Sequence, residues 1–262
     1  MVKTAETALV TDIRRGSLED GPGMRTVVFF KGCPLSCRWC HNPECISFEK
    51  ETLFYPEKCI GCGKCTEGCY AGARVACGRE MTAEQVLKKI LADRPYYGTE
   101  GGVTFSGGEP LAQAPFLRVL LPMLKEAGIP AAAETTMFLW EEDVLSALSF
   151  VLCDIKTMDD EKHQRYTGVS NRTILANIRR LDTIGIPFCI HTPLIPGVND
   201  TKEAITAIRD FAKTLTHVTG YSLLPYSPLG IPKRRALGME VWDFPVPDKE
   251  TVKELSHYAD LS

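Results

Sequence analysis

Thiolates set at short, regular intervals hold metals, and this sequence carries two such groups. The chain has 262 residues and eleven cysteines, nine of which fall between Cys33 and Cys77. Cys33, Cys37 and Cys40 form C-x3-C-x2-C inside KGCPLSCRWCHN. A four-iron cube held by three thiolates keeps one iron without a protein ligand, and a substrate or cofactor can bind there directly, as at the open position of catalytic zinc sites. Cys45 is the alternative that would close the set. Cys59, Cys62, Cys65 and Cys69 read C-x2-C-x2-C-x3-C, the bacterial ferredoxin spacing with Tyr70 in place of the closing proline. Gly61, Gly63 and Gly68 give that loop its conformational freedom. A zinc ribbon is the competing reading, although it calls for two CxxC pairs well apart. Cys45 and Cys77 bracket the run, as spare thiols or as a replacement for Cys69. Cys153 and Cys189 lie mid-strand among apolar residues and read as small core hydrophobes.

The elements that must position these groups follow from hydrophobic periodicity. Apolar runs at 26–30, 101–106, 129–134, 150–156, 187–195 and 219–226 read as strands. Between them lie amphipathic stretches. The segment from Thr82 to Asp93 opens with a capping box of Thr82 and Gln85. Helices over 116–127 and 173–184 end before Gly128 and Gly185. Asp200 is expected to cap a helix to about Thr214, and Asp248 another to about Tyr258. Strand and helix alternating about six times predicts an α/β fold, a partial (β/α)6 barrel of the TIM type short of the full eight units. Residues 44–80 break the rhythm and read as a small inserted ferredoxin-like iron–sulfur domain, with 1–43 and 81–262 forming the barrel.

Composition bounds the rest. Hydrophobic residues make up 44% and charged residues 24%, with 30 basic against 33 acidic side chains and a net charge of −3. That balance lacks the positive footprint demanded by phosphate backbones, so nucleic acid is not an expected partner. No apolar run reaches the eighteen or so residues of a membrane span. The N-terminus has no secretory signal, which argues against a disulfide framework.

The text CPLSCRWCHNPE, followed by GGVTFSGGEP and CDIK, resembles the radical S-adenosylmethionine (SAM) enzymes. More narrowly it is similar to the activating enzymes of glycyl radical enzymes. The lead-in RRGSLEDGPGMRTVVFFKGC and the texts TGVSN, LIPGVND and LLPYSPLG fit that group, from about Asp12 to about Gly238. The resemblance implies two [4Fe-4S] clusters, one on Cys33, Cys37 and Cys40 and an auxiliary one on Cys59, Cys62, Cys65 and Cys69. SAM would chelate the open iron and be cleaved reductively to methionine and a 5′-deoxyadenosyl radical. That radical would take a hydrogen from a backbone glycine of a partner glycyl radical enzyme, with a flavodoxin or ferredoxin-type protein as reductant. A monomer in an oxygen-poor cytoplasm is the implied setting.

The same resemblance assigns SAM contacts. Ser106, Gly107, Gly108 and Glu109 fall at the methionyl amino group, with an ordinary strand-to-helix turn as the alternative. Trp39 and His41 fall at the adenine. Glu134 is an acidic contact to the amino group, although ETTM departs from the commoner acidic-Thr-Asn-Gly. Asp154 and Lys156 point the same way on their strand and fit the ribose hydroxyls and the SAM carboxylate, or alternatively a structural ion pair. His191 stands where the family commonly has Arg, and Ser227 where many relatives have a SAM-contacting His. Lys233, Arg234 and Arg235 read as a solvated basic face or a patch for the partner protein. Competing functions are a radical SAM enzyme of small molecules and a ferredoxin-like electron carrier.

Overall fold

The structure, a computed structural model, describes residues 7–65 and 68–261. Its framework is one eight-stranded sheet. Six strands run parallel: β2 (Arg25–Phe30), β6 (Gly102–Gly107), β7 (Ala131–Thr135), β8 (Phe150–Asp154), β9 (Phe188–Leu194) and β10 (Val218–Pro225). They neighbour one another in that order, and each matches one of the six apolar runs of the sequence. Two antiparallel strands, β1 (Thr7–Ser17) and β5 (Arg79–Thr82), extend the sheet beyond β2. A row of six parallel strands with helical crossovers is the partial barrel that the alternation predicts.

Strand periodicity divides the side chains between two faces. Val28, Phe30, Val103, Phe105, Ala133, Val151, Phe188 and Ile190 join the main apolar core. That core is closed by α2 (Ala114–Glu126), α5 (Arg172–Ile184) and α6 (Lys202–Ala212), which contribute Leu117, Leu120, Leu124, Ile178, Leu181 and Ile208. Residues of opposite phase, including Thr104, Ser106, Glu134, Asp154 and His191, are polar and belong to the concave side. Cys153 lies in the helix-covered core, as expected for a small hydrophobe. Cys189 does not: flanked by Phe188 and Ile190, it takes the other face and stays partly exposed, with Gly220 beside it on β10.

Local signals locate most helix ends. α1 (Ala83–Leu91) carries the capping box, with Thr82 Oγ1 accepting from Gln85 N at 3.3 Å and Gln85 Oε1 accepting from Thr82 N at 3.0 Å. α5 stops at Gly185, whose φ is 85°. Asp248 caps α8 (Lys249–Tyr258). Asp200, however, does not cap α6: Thr201 does, through Ala204 N, while Asp200 accepts from Gly197 N and closes the preceding turn. Three short helices went unread because they lack a long apolar stripe: α3 (Glu142–Ser146), α4 (Asp160–Thr167) and α7 (Gly230–Ala236).

Between β2 and β5 the chain leaves the sheet and forms an antiparallel ribbon of β3 (Glu51–Phe54) and β4 (Arg74–Cys77). Lys31, fully buried at the end of β2, ties the ribbon down by donating to the Glu44 carbonyl at 2.9 Å and pairing with Glu51 at 2.5 Å. Among the described residues no helix is long and apolar enough to cross a membrane.

Candidate active site

The site is a cleft of about 190 Å³ at the carboxyl ends of the parallel strands, where ligands sit in barrels of this kind. Cys37, Trp39, Cys40 and His41 line it from the loop after β2. Ser106, Gly107 and Gly108 come from β6, Glu134 from β7, and Asp154 and Lys156 from the end of β8. Four segments far apart in sequence thus bring most of the sequence-selected residues to one place.

The cysteine loop is stitched to the barrel through its backbone. Cys33 N donates to the Ile46 carbonyl at 2.9 Å, Ser36 N to Thr167 O at 2.8 Å and Arg38 N to Tyr166 O at 3.0 Å. The last two carbonyls end α4, which explains why TGVSN accompanies the cysteine motif. Cys33, Cys37 and Cys40 are all half-buried. Burial, followed by the neighbouring Cys37 thiol, pushes the Cys40 thiol up to about 12, and the same two causes raise Cys33. Three thiols on one short loop that resist ionisation are poor free nucleophiles and suitable ligands, because a metal supplies the positive charge that the site lacks. The donor set therefore fits a cluster.

Cys45 and Cys77 are accounted for elsewhere. Cys45 is buried beside Val27 and Phe29 and donates to Thr11 Oγ1 at 3.3 Å. Cys77 packs with Leu53 and Ala236 and donates to the Glu44 carbonyl at 3.2 Å. Neither lines either cysteine site. Cys59, Cys62, Cys65 and Cys69 border one small cavity of about 30 Å³. Backbone N–H groups of Arg74, Ala73, Ala71 and Gly72 face Cys69 and hold its thiol below the ordinary range, with the Arg74 bond the strongest influence.

The two glycines act differently from a simple ligand cradle. A Cβ on Gly107 would lie 2.4 Å from the backbone of Phe30, and one on Gly108 would lie 2.3 Å from Gly32 O and 2.5 Å from Cys45 O. Their close approach is to the base of the cysteine loop, and Gly108 N and Glu109 N donate to Phe30 O and Gly32 O at 2.9 and 2.8 Å. Glu109 departs from its expected place at a ligand. It is fully buried outside the cleft lining, accepting from Thr135 Oγ1 at 2.7 Å, Thr136 Oγ1 at 2.6 Å, Thr136 N at 2.9 Å and Leu111 N at 3.1 Å. Its carboxylate locks the end of β6 to the end of β7 and thereby shapes the cleft.

Asp154 and Lys156 form an ion pair of 2.7 Å within the cleft, the alternative that the sequence left open. Burial works against the Lys156 ammonium, yet Asp154 outweighs it and holds the group above its ordinary value. Glu134 accepts from Ser106 Oγ at 2.6 Å. Its carboxyl is pushed up to about 7, chiefly by burial and then by the charge of Asp154. His191 lies behind these carboxylates rather than in the lining. One ligating atom each of Glu134, Asp154 and His191 falls within 4.8 Å of the others. Burial lowers the imidazole's affinity for protons, and its Nδ1 is buried without a partner among the described residues.

Trp39 is buried against Tyr166 and Phe244, with ring centroids 5.9 and 6.1 Å away. His41 is exposed at the rim, its ring 6.0 Å from Tyr226 and its Nε2 accepting from Ser227 N at 3.3 Å. Tyr226, Ile195, Thr136 and Asn42 also line the cleft and escaped the sequence reading. Asn199 escaped it too. Its amide donates to Lys156 O at 2.7 Å and Pro193 O at 2.8 Å, and its Oδ1 accepts from Ile195 N at 2.7 Å. A buried Asn spanning two strand ends gives LIPGVND a structural purpose.

The Radical SAM superfamily profile matches residues 27–211. The chain is 35% identical to the benzylsuccinate synthase activating enzyme of Thauera aromatica, over 88% of this chain and 82% of that protein. It is 35% identical to the pyruvate formate-lyase-activating enzyme of Clostridium pasteurianum, over 95% of each. The protein belongs to the radical SAM superfamily. Within it, the chain is a member of the activating enzymes of glycyl radical enzymes, and a 4Fe-4S cluster and SAM are the cofactors of that membership. A third relative, the trans-4-hydroxy-L-proline dehydratase activating enzyme of Clostridioides difficile, is 36% identical over 85% of each chain. In fold, the activase resembles a radical SAM methyltransferase from Sphaerobacter thermophilus, with a TM-score of 0.58 at 15% identity over 95% of this chain and 74% of that one.

Proposed function

We propose that the cleft binds SAM against a [4Fe-4S] cluster held by Cys33, Cys37 and Cys40, and that the activase thereby installs a radical on a backbone glycine of a separate glycyl radical enzyme. The convergence of the cysteine loop, the β6 glycines and the Glu134–Asp154–Lys156 group in one cleft carries this reading. When bound, cluster and SAM together supply one-electron cleavage of the sulfonium C–S bond to methionine and a primary carbon radical that takes a hydrogen atom. The chain's own residues bind and orient. Glu134 and Lys156 offer an acceptor and a donor to the methionyl amino and carboxylate groups, and Asp154 offers acceptors to the ribose. The Trp39, Tyr166 and Phe244 aromatic group backs the cysteine loop, and His41 with Tyr226 borders the nucleoside end. Ser227, in place of the family's His, reaches this end through its backbone contact with His41.

We assign a second, auxiliary [4Fe-4S] cluster to Cys59, Cys62, Cys65 and Cys69 within an inserted unit at 44–80, an electron entry for a flavodoxin or ferredoxin-type donor. Their common cavity and the N–H groups around Cys69 support this assignment. The activase is expected to act as a monomer docking transiently on its target. Anaerobic reconstitution, reduction and addition of SAM test the reading. The cluster EPR signal should change, 5′-deoxyadenosine should be released, and a glycine-centred doublet should form on a candidate partner glycyl radical enzyme. An unchanged signal with no nucleoside release overturns it.

A further inference from the structure

The basic run Lys233-Arg234-Arg235 resembles a solvated face in sequence, yet two of its cations turn inward. α7 sits directly on the cysteine loop, and Gly230 makes this possible, since a Cβ there would lie 2.1 Å from the Cys40 carbonyl oxygen. Lys233 Nζ donates to His41 O and Asn42 Oδ1 at 3.0 Å each and to Glu44 Oε1 at 2.6 Å. Arg234 goes deeper and is 3% exposed. Its Nη2 donates to the Cys37 carbonyl at 2.5 Å and its Nη1 to Glu240 O at 3.3 Å, while the Trp242 ring lies 5.0 Å from the guanidinium carbon. Its Nε is buried and has no partner among the described residues.

A buried N–H left unpaired is costly, and a charged guanidinium buried against the neutral carbonyls of Cys37 and Glu240 is costlier still. Both costs are offset if the group that completes this site carries negative charge and accepts hydrogen bonds. A cluster on three thiolates meets both conditions, and it gains one further negative charge on reduction. Hydrogen bonds to sulfur and nearby positive charge raise the potential of such clusters.

We propose that Arg234 is a positioning residue of the SAM-binding cluster: its fork fixes the loop at the Cys37 carbonyl, and its free Nε–H donates to sulfur of the loaded cluster and eases its reduction. The inference rests on the proposed site at Cys33, Cys37 and Cys40.

The test is a potentiometric EPR titration of anaerobically reconstituted full-length protein, following the signal that responds to SAM. In Arg234→Met the ratio of reduced to oxidised cluster at a fixed potential should fall about tenfold, a midpoint about 59 mV lower for a one-electron couple. Arg234→Lys retains a charge but has no Nε, and its midpoint should lie between the two. An Arg234→Met protein with full iron content and an unshifted midpoint overturns the proposal. Should Arg234→Met fail to hold iron, Arg234→Lys decides, and a midpoint equal to that of the parent protein overturns it. If the parent protein's signal ignores SAM, the functional reading itself fails, and the two failures are thereby distinguished.

Discussion

Glu134 is half-buried at the end of β7 beside a second carboxylate, and both circumstances make its proton harder to remove. The group moves from an ordinary value of 4.5 to about 7 in the folded chain. A raised carboxyl contributes its full share of stability below the unfolded value and loses it as pH climbs through the folded one. The folded chain therefore penalises the ionised form. Glu134→Gln removes that penalty while leaving Ser106 an acceptor. Thermal melts should therefore find the variant and the parent alike at about pH 4, below the unfolded value, with the variant more stable at about pH 8. A constant difference at both values would show that Glu134 is ionised throughout. The same variant should bind SAM more weakly, because a neutral amide attracts an ammonium less than a carboxylate does. The adjacent Asp154–Lys156 pair owes its persistence to mutual compensation in a buried setting, so removing one member alone exposes an uncompensated charge.

At the scale of elements, α7 shows how a short helix serves the cysteine loop. Gly230→Ala inserts a methyl 2.1 Å from Cys40 O, a contact relieved only by moving α7 away and with it Lys233 and Arg234. The expected outcome is lower iron retention on anaerobic gel filtration and a broadened cluster signal, with far-UV circular dichroism unchanged. Full iron retention would show that the helix gives way at no cost to the loop. This helix also illustrates what the sequence made legible. Six strands and the long helices were readable because periods of two and near 3.6 report burial on one face. α7 carries GIPKRRA, in which a proline and three cations mask any stripe, and its buried cations are explained only by a partner nearly two hundred positions away. Glu109 teaches the same lesson. Its motif marks a strand end, but whether the carboxylate faces a ligand or Thr135 and Thr136 depends on the neighbouring strand. The cysteine motifs were legible for the opposite reason, since their ligand spacing is local.

Considered as a whole, the molecule couples a barrel to a ribbon, and α7 touches both. Ala236 packs with Leu53 and Cys77 of the ribbon, while Gly230, Lys233 and Arg234 grip the cysteine loop of the barrel. The anchors of that loop are Ile46 O at the start of the insertion, Tyr166 O, Thr167 O and Arg234, and among the described residues none comes from the loop bearing Cys59 to Cys69. The two proposed metal sites should therefore load independently. Cys62→Ala combined with Cys65→Ala should lower the iron content from about eight to about four per chain, since each cube holds four. The remaining cluster should still change its EPR signal on addition of SAM, and chemical reduction should still release 5′-deoxyadenosine. Reduction by a protein donor should slow, because the shortened route lacks its outer relay. Loss of all iron in the double variant would instead make the ribbon a scaffold on which the barrel site depends. Retention of about eight would remove these cysteines from the ligand set.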